Sequence, residues 1–337
     1  MKPTHITIKD IARILGVSPS TVSRALKDHP DISEETRNLV KSFAEKVNYR
    51  PNALALSLRK QKSNTLGLVI PEIVHHFFSS VISGMEDLAY SEGYTLMICQ
   101  SNENYHRELI NIQALLDHRV DGLLVSISKT TRDFEHLHNA VNNGIPVVFF
   151  DRICDEVETD RVVTDDFEGA RLATTHLIEC GCRNILHLAT TENLLIGKNR
   201  YLGYLQALEN HNIPFNEEYV IKCDTREEVY AKRKQILALA PKIDGVFAVN
   251  DSTAISAMQV LQENGYHIPG DISVVGFGDG PIATIASPPL TTVEQKGYEI
   301  GREAVRMLIQ RLESPNAQVD FQTRIVPPSL VKRKSTK

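Results

Sequence analysis

Several absences narrow the chain before anything present is considered. Its 337 residues hold no apolar run near the ~18–20 residues that cross a bilayer, so a membrane-spanning helix is excluded. The opening MKPTHITIKD has neither a basic n-region nor an apolar h-region, and no secretory leader is expected. Only five cysteines occur, at 99, 154, 180, 182 and 223, with no framework spacing. That argues against a disulfide scaffold and for a reducing cytoplasm. No Gly-x-Ser-x-Gly elbow and no HExxH appear. Cys180-Gly-Cys182 is not CxxC, Gly276-x-Gly278-x-Gly280 is not GxGxxG, and adjacent His75 and His76 would point about 100° apart on a helix. No catalytic residue, cofactor or metal ligand is therefore expected.

What is present is ordinary in bulk and uneven in detail. Hydrophobic residues make up 42% and charged residues 23%, enough for two or three packed units. The formal charge is −5, but residues 1–62 carry 12 Lys/Arg against 6 Asp/Glu, a net of +6, and the remainder carries −11. A basic head on an acidic body points to a polyanion at one end.

The head reads as three short helices. Thr7 and Asp10 have capping-box spacing, and Ile8, Ile11, Ala12 and Leu15 form one apolar face that Gly16 ends. Ser18-Pro19 restarts a helix with Val22, Ala25 and Leu26 inside. Ser33 opens a third, with Leu39, Val40, Phe43, Ala44 and Val47 as its expected core side. Helix, glycine turn, helix is helix-turn-helix spacing, which would put Pro19 and Ser20 at base edges in a major groove. Arg24, one turn on, could hold a guanine through both its nitrogens. Ser18, Thr21 and Ser23 offer hydroxyls to phosphates, and Thr7 is counted with them. Pro51 stops the third helix, and residues 53–60 form a helix too short to stand alone.

From Thr65 short apolar strands alternate with helical stretches: TLGLVIP (65–71), TLMICQ (95–100), GLLVSI (122–127), IPVVFFD (145–151), NILHLAT (184–190), YVIKCD (219–224), GVFAVN (245–250) and ISVVGFG (272–278). These predict parallel sheets covered on both faces. Asp121-Gly122 and Asp244-Gly245 open similar segments 123 residues apart, as two related lobes would. Ligands of such sheets sit at the strands' carboxyl ends.

The segment TIKDIARILGVSPSTVSRALKDHPDISEETRNLVKSFAEKVNYRPNALALSLRKQKSNTLGLVIP resembles the amino-terminal signature of the LacI/GalR family of bacterial transcription regulators. GARLATTHLIECGCRNILHLA, KNRYLGYLQAL, VFAVNDSTAISAMQVLQENGYHIPGDISVVGFGD and PPLTTVEQ extend the likeness over nearly the whole chain. The resemblance implies an α/β fold: an all-α headpiece (1–50), a hinge helix and linker (51–62), and a two-lobed core (63–337) like periplasmic sugar-binding proteins. The lobes would divide at about 63–163 with 294–324, and 164–293 with 325–337.

It also implies a cytoplasmic homodimer on pseudo-palindromic double-stranded operator DNA, a repressor in the commoner family mode, with a sugar-like effector and no membrane partner. Leu58 matches the family's minor-groove wedge, Arg59 a neighbouring basic residue, and Tyr49 and Asn52 backbone-contacting or positioning residues. Effector groups implied are Phe77 and Phe78, Ser126, Asp151 and Arg152, Arg200 as the main clamp, Asn250 and Asp251, and Asp279 in place of an acid that Gly278 lacks. His75-His76 stands where the family usually has Asn-Pro. A neutral sugar, sugar acid, sugar phosphate or purine all suit such a cleft. The basic end, Lys332-Arg333-Lys334, reads as a solvated tail. A solute-binding protein or a sugar-metabolising enzyme is the competing class; the intact head opposes the first, and the lack of a catalytic constellation opposes the second.

Overall fold

The computed structural model describes residues 6–49, 62–190, 194–314 and 320–337. The hinge residues Asn52, Leu58 and Arg59 lie outside them. The chain divides into two compact units, 1–63 and 64–337.

In the first unit α1 (Ile8–Leu15), α2 (Pro19–Ala25) and α3 (Glu34–Lys46) close on Ile11, Ala12, Val22, Ala25, Val40 and Ala44. Each helix start is capped. Thr7 Oγ1 accepts from the Asp10 N–H at 3.3 Å while Asp10 accepts the Thr7 N–H at 3.0 Å. Ser18 accepts from the Thr21 N–H at 3.0 Å, and Ser33 from Thr36 at 3.3 Å. Gly16 takes the left-handed conformation (φ 66°) that ends α1. Leu39, expected inside, is 51% exposed. Three small helices bury one narrow stripe of α3, on which Val40 and Ala44 stand four apart, and Leu39 lies a residue off it.

The second unit holds two lobes of the same design. The first contains β1 (Thr65–Ile70), α4 (His76–Ser91), β2 (Thr95–Gln100), α5 (Tyr105–Asp117), β3 (Gly122–Val125), α6 (Glu135–Asn142), β4 (Val147–Phe150) and β5 (Asp160–Thr164). The second contains α7 (Asp166–Glu179), β6 (Ile185–Ala189), α8 (Leu195–Asn210), β7 (Val220–Lys222), α9 (Arg226–Ala231), α10 (Arg233–Leu239), β8 (Gly245–Ala248), α11 (Asp251–Gln262), β9 (Ser273–Gly278), α12 (Pro281–Ile285) and β10 (Thr291–Glu294). The chain then returns to the first lobe with α13 (Gly297–Glu313) and β11 (Thr323–Val326), and ends in the second with β12 (Ser329–Val331).

The sheets run β11-β5-β4-β3-β1-β2 and β12-β10-β9-β8-β6-β7. All neighbours are parallel except the antiparallel β10–β12 edge. The repeat read at Asp121 and Asp244 now has a cause. Asp121 accepts the Asn64 N–H at 2.8 Å, and Asp244 accepts those of Arg183 and Asn184 at 2.8–2.9 Å. Each carboxylate ties the start of one central strand to the strand beside it. Alternate residues of each strand face opposite layers, as period-2 strands with two covered faces require. Leu66, Leu68 and Ile70 meet α4 and α13, whereas Val69 meets the α5–α6 side. Helices α4 and α13 approach through glycines: a Cβ at Gly301 would lie 2.1 Å from Val81 O, and one at Gly84 2.1 Å from Tyr298 O.

Four strands, β5, β10, β11 and β12, were not expected from the sequence. They are short and lie at or next to a sheet edge, and β11 is exposed at three of four positions. As β11 runs to Val326, the last crossing between lobes falls at Pro327-Pro328, beyond the expected 324/325 division. In the basic end Lys332 and Lys334 are exposed and Arg333 is half-buried, but the two residues after them turn back into the lobe. Ser335 is fully buried, its hydroxyl donates to Val274 O at 2.6 Å, and Thr336 meets His176 at 2.9 Å.

Candidate nucleic-acid interface and ligand cleft

On the headpiece, α2 presents Pro19, Ser20 and Arg24 to solvent. The Arg24 side chain is 57% exposed, and its nearest carboxylate, Asp31, is 3.9 Å away, too loose to fix it. Ser18 Oγ lies 2.7 Å from Ser20 Oγ and 2.8 Å from Thr21 Oγ1, a hydroxyl cluster at the helix start where N–H groups and the helix dipole favour a phosphate. Ser23 is half-buried one turn later. Thr7 is committed locally: its hydroxyl accepts from the Asp10 N–H and lies 2.6 Å from the Asp10 carboxylate. Tyr49 packs on the headpiece core, which raises its phenol pKa by desolvation.

In the second unit the carboxyl ends of β1–β4 and of β6–β9 carry the groups expected for a ligand. Arg200, on α8, is buried and held on three sides. Its Nε donates to Asp166 Oδ1 at 2.8 Å, Nη1 donates to Val249 O at 2.6 Å, and the guanidinium carbon lies 3.9 Å above the Phe277 ring. Burial raises the Asp166 pKa, while Arg200 pulls it down. Arg152, at the end of β4, donates through Nη1 to both Glu103 oxygens at 2.7 and 2.8 Å, and its guanidinium lies 5.8 Å from the Phe78 ring.

Between these pairs sits Asp151, buried and left-handed (φ 59°). Burial pushes its pKa up to about 7, with Arg152 and Arg200 opposing and Asp166 and Glu103 adding to the rise. Ser126 Oγ, at the end of β3, is buried with no partner among the described residues. Such an orphan has a desolvation cost that a ligand hydroxyl would relieve. Phe78 belongs to the first lobe's core, and Phe77 lies edge-on to it at 5.3 Å.

Three of the expected ligand groups also bond within the scaffold. Asn250 caps α11, its Oδ1 accepting the Thr253 N–H at 2.8 Å and its Nδ2 donating to Asp224 O at 2.8 Å. Asp251 accepts the Gly280 N–H at 2.9 Å and the Thr292 hydroxyl at 2.5 Å. Asp279 is bound by Arg333 at 2.6 Å. Buried carboxylates need such donors, and these have found theirs in the chain. Conversely, Glu103, Lys129, Asp166, Asp224 and Phe277 were missed. Asp224 ends the strand read at 219–224, so the strand-end rule alone could have picked it out. No group of three or more His, Cys, Asp or Glu able to hold a metal ion occurs among the described residues. His75 pairs with Glu72 at 2.7 Å.

Residues 7–52 match the model of bacterial regulatory proteins of the lacI family, and 174–336 match a periplasmic binding protein-like domain. A relative named HTH-type transcriptional repressor PurR, from Actinobacillus pleuropneumoniae serotype 3 (strain JL03), is 32% identical over 332 residues, covering 98% of each chain. The chain belongs to the LacI family. A ribose operon repressor of Halalkalibacterium halodurans is 34% identical over 333 residues, covering 98% of this chain and 97% of that one. The lac repressor dimer bound to operator and the anti-inducer ONPF superposes with a TM-score of 0.83 at 25% identity, over 98% of this chain and 99% of that one. As a LacI-family member the chain is a DNA-binding transcription regulator controlled through a small effector, and its named relatives are regulators. No helix among the described residues is long and apolar enough to cross a membrane.

Proposed function

We propose that this protein is a cytoplasmic, homodimeric repressor whose effector is a neutral, hydroxyl-rich molecule of sugar size. The observation that carries the effector class is charge pairing. Lys129, Arg152 and Arg200 each already face a carboxylate: Asp224, Glu103 and Asp166. Asp151 adds a further acid, and Ser126 an unsatisfied hydroxyl. A phosphate or carboxylate ligand would have to displace one of these acids from its cation and leave it buried, at several kcal/mol. Sugar hydroxyls donate to Asp151 and Ser126 and break no pair.

On the DNA side, Arg24 reads a base, Pro19 and Ser20 set the approach, and the Ser18–Thr21 cluster, Ser23 and Tyr49 fix the headpiece on phosphates. The hinge 51–62 carries the signal, with Asn52 on the backbone, Leu58 as minor-groove wedge and Arg59 beside it. An effector preferring one arrangement of the lobes shifts the population that binds operator.

A thermal-shift series tests the effector class. Pentoses and hexoses should raise the melting temperature as their concentration exceeds the dissociation constant. Sugar phosphates, uronates and purine bases should not. Stabilisation by phosphate esters or purines alone would overturn the neutral-sugar reading.

A further inference from the structure

One ion pair in the core belongs to neither lobe alone. Lys129 lies on the loop leaving β3 in the first lobe, and Asp224 follows β7 in the second. The Lys129 Nζ donates to the two Asp224 oxygens at 3.2 and 3.0 Å, across 95 residues of sequence. The side chains are 32% and 12% exposed, so water screens the pair only in part.

Both ends are anchored within their lobes. The Asp224 carboxylate also accepts the Thr190 hydroxyl, its N–H donates to Glu228 at 2.8 Å, and its carbonyl accepts from Asn250 at 2.8 Å. The Lys129 N–H donates to Glu103 Oε2 at 2.8 Å, and Arg132 Nη1 donates to the Lys129 carbonyl at 2.8 Å. Glu103 is the acid that holds Arg152, the neighbour of Asp151. A continuous polar chain thus runs from Asp224 in one lobe through Lys129 and Glu103 to the charged floor of the other. Elsewhere between the lobes, His76 lies against the Gly280 backbone: a Cβ at Gly280 would lie 3.2 Å from His76 Cβ.

We propose that the Lys129–Asp224 pair is a latch across the cleft, which favours the closed arrangement of the lobes and ties closure to the position of Arg152. The lobes are joined by three chain crossings, at 164–166, 294–297 and 326–329, and a rotation about these lengthens the pair, since no backbone links the two loops. A contact made in one arrangement and lost in the other shifts the balance by its full differential strength. The latch concerns the lobes themselves; only its effect on effector response rests on the cleft being the effector site.

Hydrogen exchange of the full chain, with no effector added, tests this. Lys129→Met and Asp224→Asn should each speed exchange about fivefold, the size expected of a part-buried pair. The change should appear at this second contact, in peptides around 75–78 and 278–281, as well as beside the mutated residue. Lys129→Arg should match wild type. The double variant should be no faster than either single one, because one interaction is lost once. Raising salt from about 0.1 M to about 1 M should speed the same peptides more in wild type than in Lys129→Met, which separates the latch from the Arg333–Asp279 and His75–Glu72 pairs in those peptides. Faster exchange confined to 126–134 and 219–228, additive singles, or a salt response no greater in wild type than in Lys129→Met would overturn the latch. A wrong effector class would leave every one of these outcomes unchanged.

Discussion

Arg24 and Arg200 are the same residue in opposite surroundings. In the headpiece, Arg24 reaches into water from a short helix, with its nearest acid 3.9 Å away. In the core, Arg200 is buried, bonded to Asp166 and Val249 and stacked on Phe277. The headpiece leaves Arg24 largely in solvent, while its Ser18, Ser20 and Thr21 hydroxyls bond to one another. The core pairs nearly all of its charges internally, Asp151 with Arg152 at 3.8 Å included, and leaves the Ser126 hydroxyl without a partner among the described residues. On the proposed reading, a polyanion is met by an exposed cation and a neutral ligand by prepaired ones.

The largest effect expected from this contrast is on Arg200. Arg200→Met strands Asp166 in the interior and should cost ~3–5 kcal/mol of core stability as well as effector response. Calorimetry and a ligand titration read the two losses. An unchanged core melting temperature would erase the contrast between the two arginines.

Next comes Asp151. Its folded pKa, about 7, lies above the unfolded value near 3.8, so the folded state holds the proton more tightly. Its contribution to stability is full below pH 3.8 and is lost as pH rises through about 7. Asp151→Asn should remove that fall, on the order of 4 kcal/mol between the two limits. Chemical denaturation of wild type and variant from pH 4 to 8 checks it; parallel curves would refute it.

Arg24→Ala should weaken discrimination at one base pair by ~1–3 kcal/mol and leave stability within ~0.5 kcal/mol. Binding assays against single-substituted operators test it, and unchanged discrimination at every position would sink the assignment. The smallest effect falls on Thr7. Thr7→Ala should cost the headpiece ~1 kcal/mol through its lost cap, and Thr7→Ser should restore it. Weaker DNA binding with no loss of headpiece stability would make Thr7 a phosphate contact instead.

The sequence showed most clearly what depends on neighbours in the chain. The caps at Thr7, Ser18 and Ser33 sit three residues from their partners, and each was legible. So were eight apolar strands. The charge pairs were not, because Arg200 meets an acid 34 residues away, Arg152 one 49 away and Lys129 one 95 away. Strand-end position picked out Asp151, Arg152, Asp251 and Asp279 alike, but not their distant partners, such as Glu103 for Arg152, Thr292 for Asp251 and Arg333 for Asp279. The missed strands β11 and β12 have their partners in β5 and β10, far earlier in the chain, and carry no run of apolar residues.

The return of the chain to its first lobe constrains the order of manufacture. A ribosome makes β1 to β5 first, then the second lobe as far as β10, and only afterwards α13 and β11. Until then Val81, Met85 and the outer faces of Leu66 and Leu68 lack the helix that covers them. Domains of nascent chains ordinarily fold one after another from the amino terminus. Here the first lobe must wait, its apolar face open, for residues made after its neighbour. A truncation before Gly297 would therefore disable the lobe that is synthesised first.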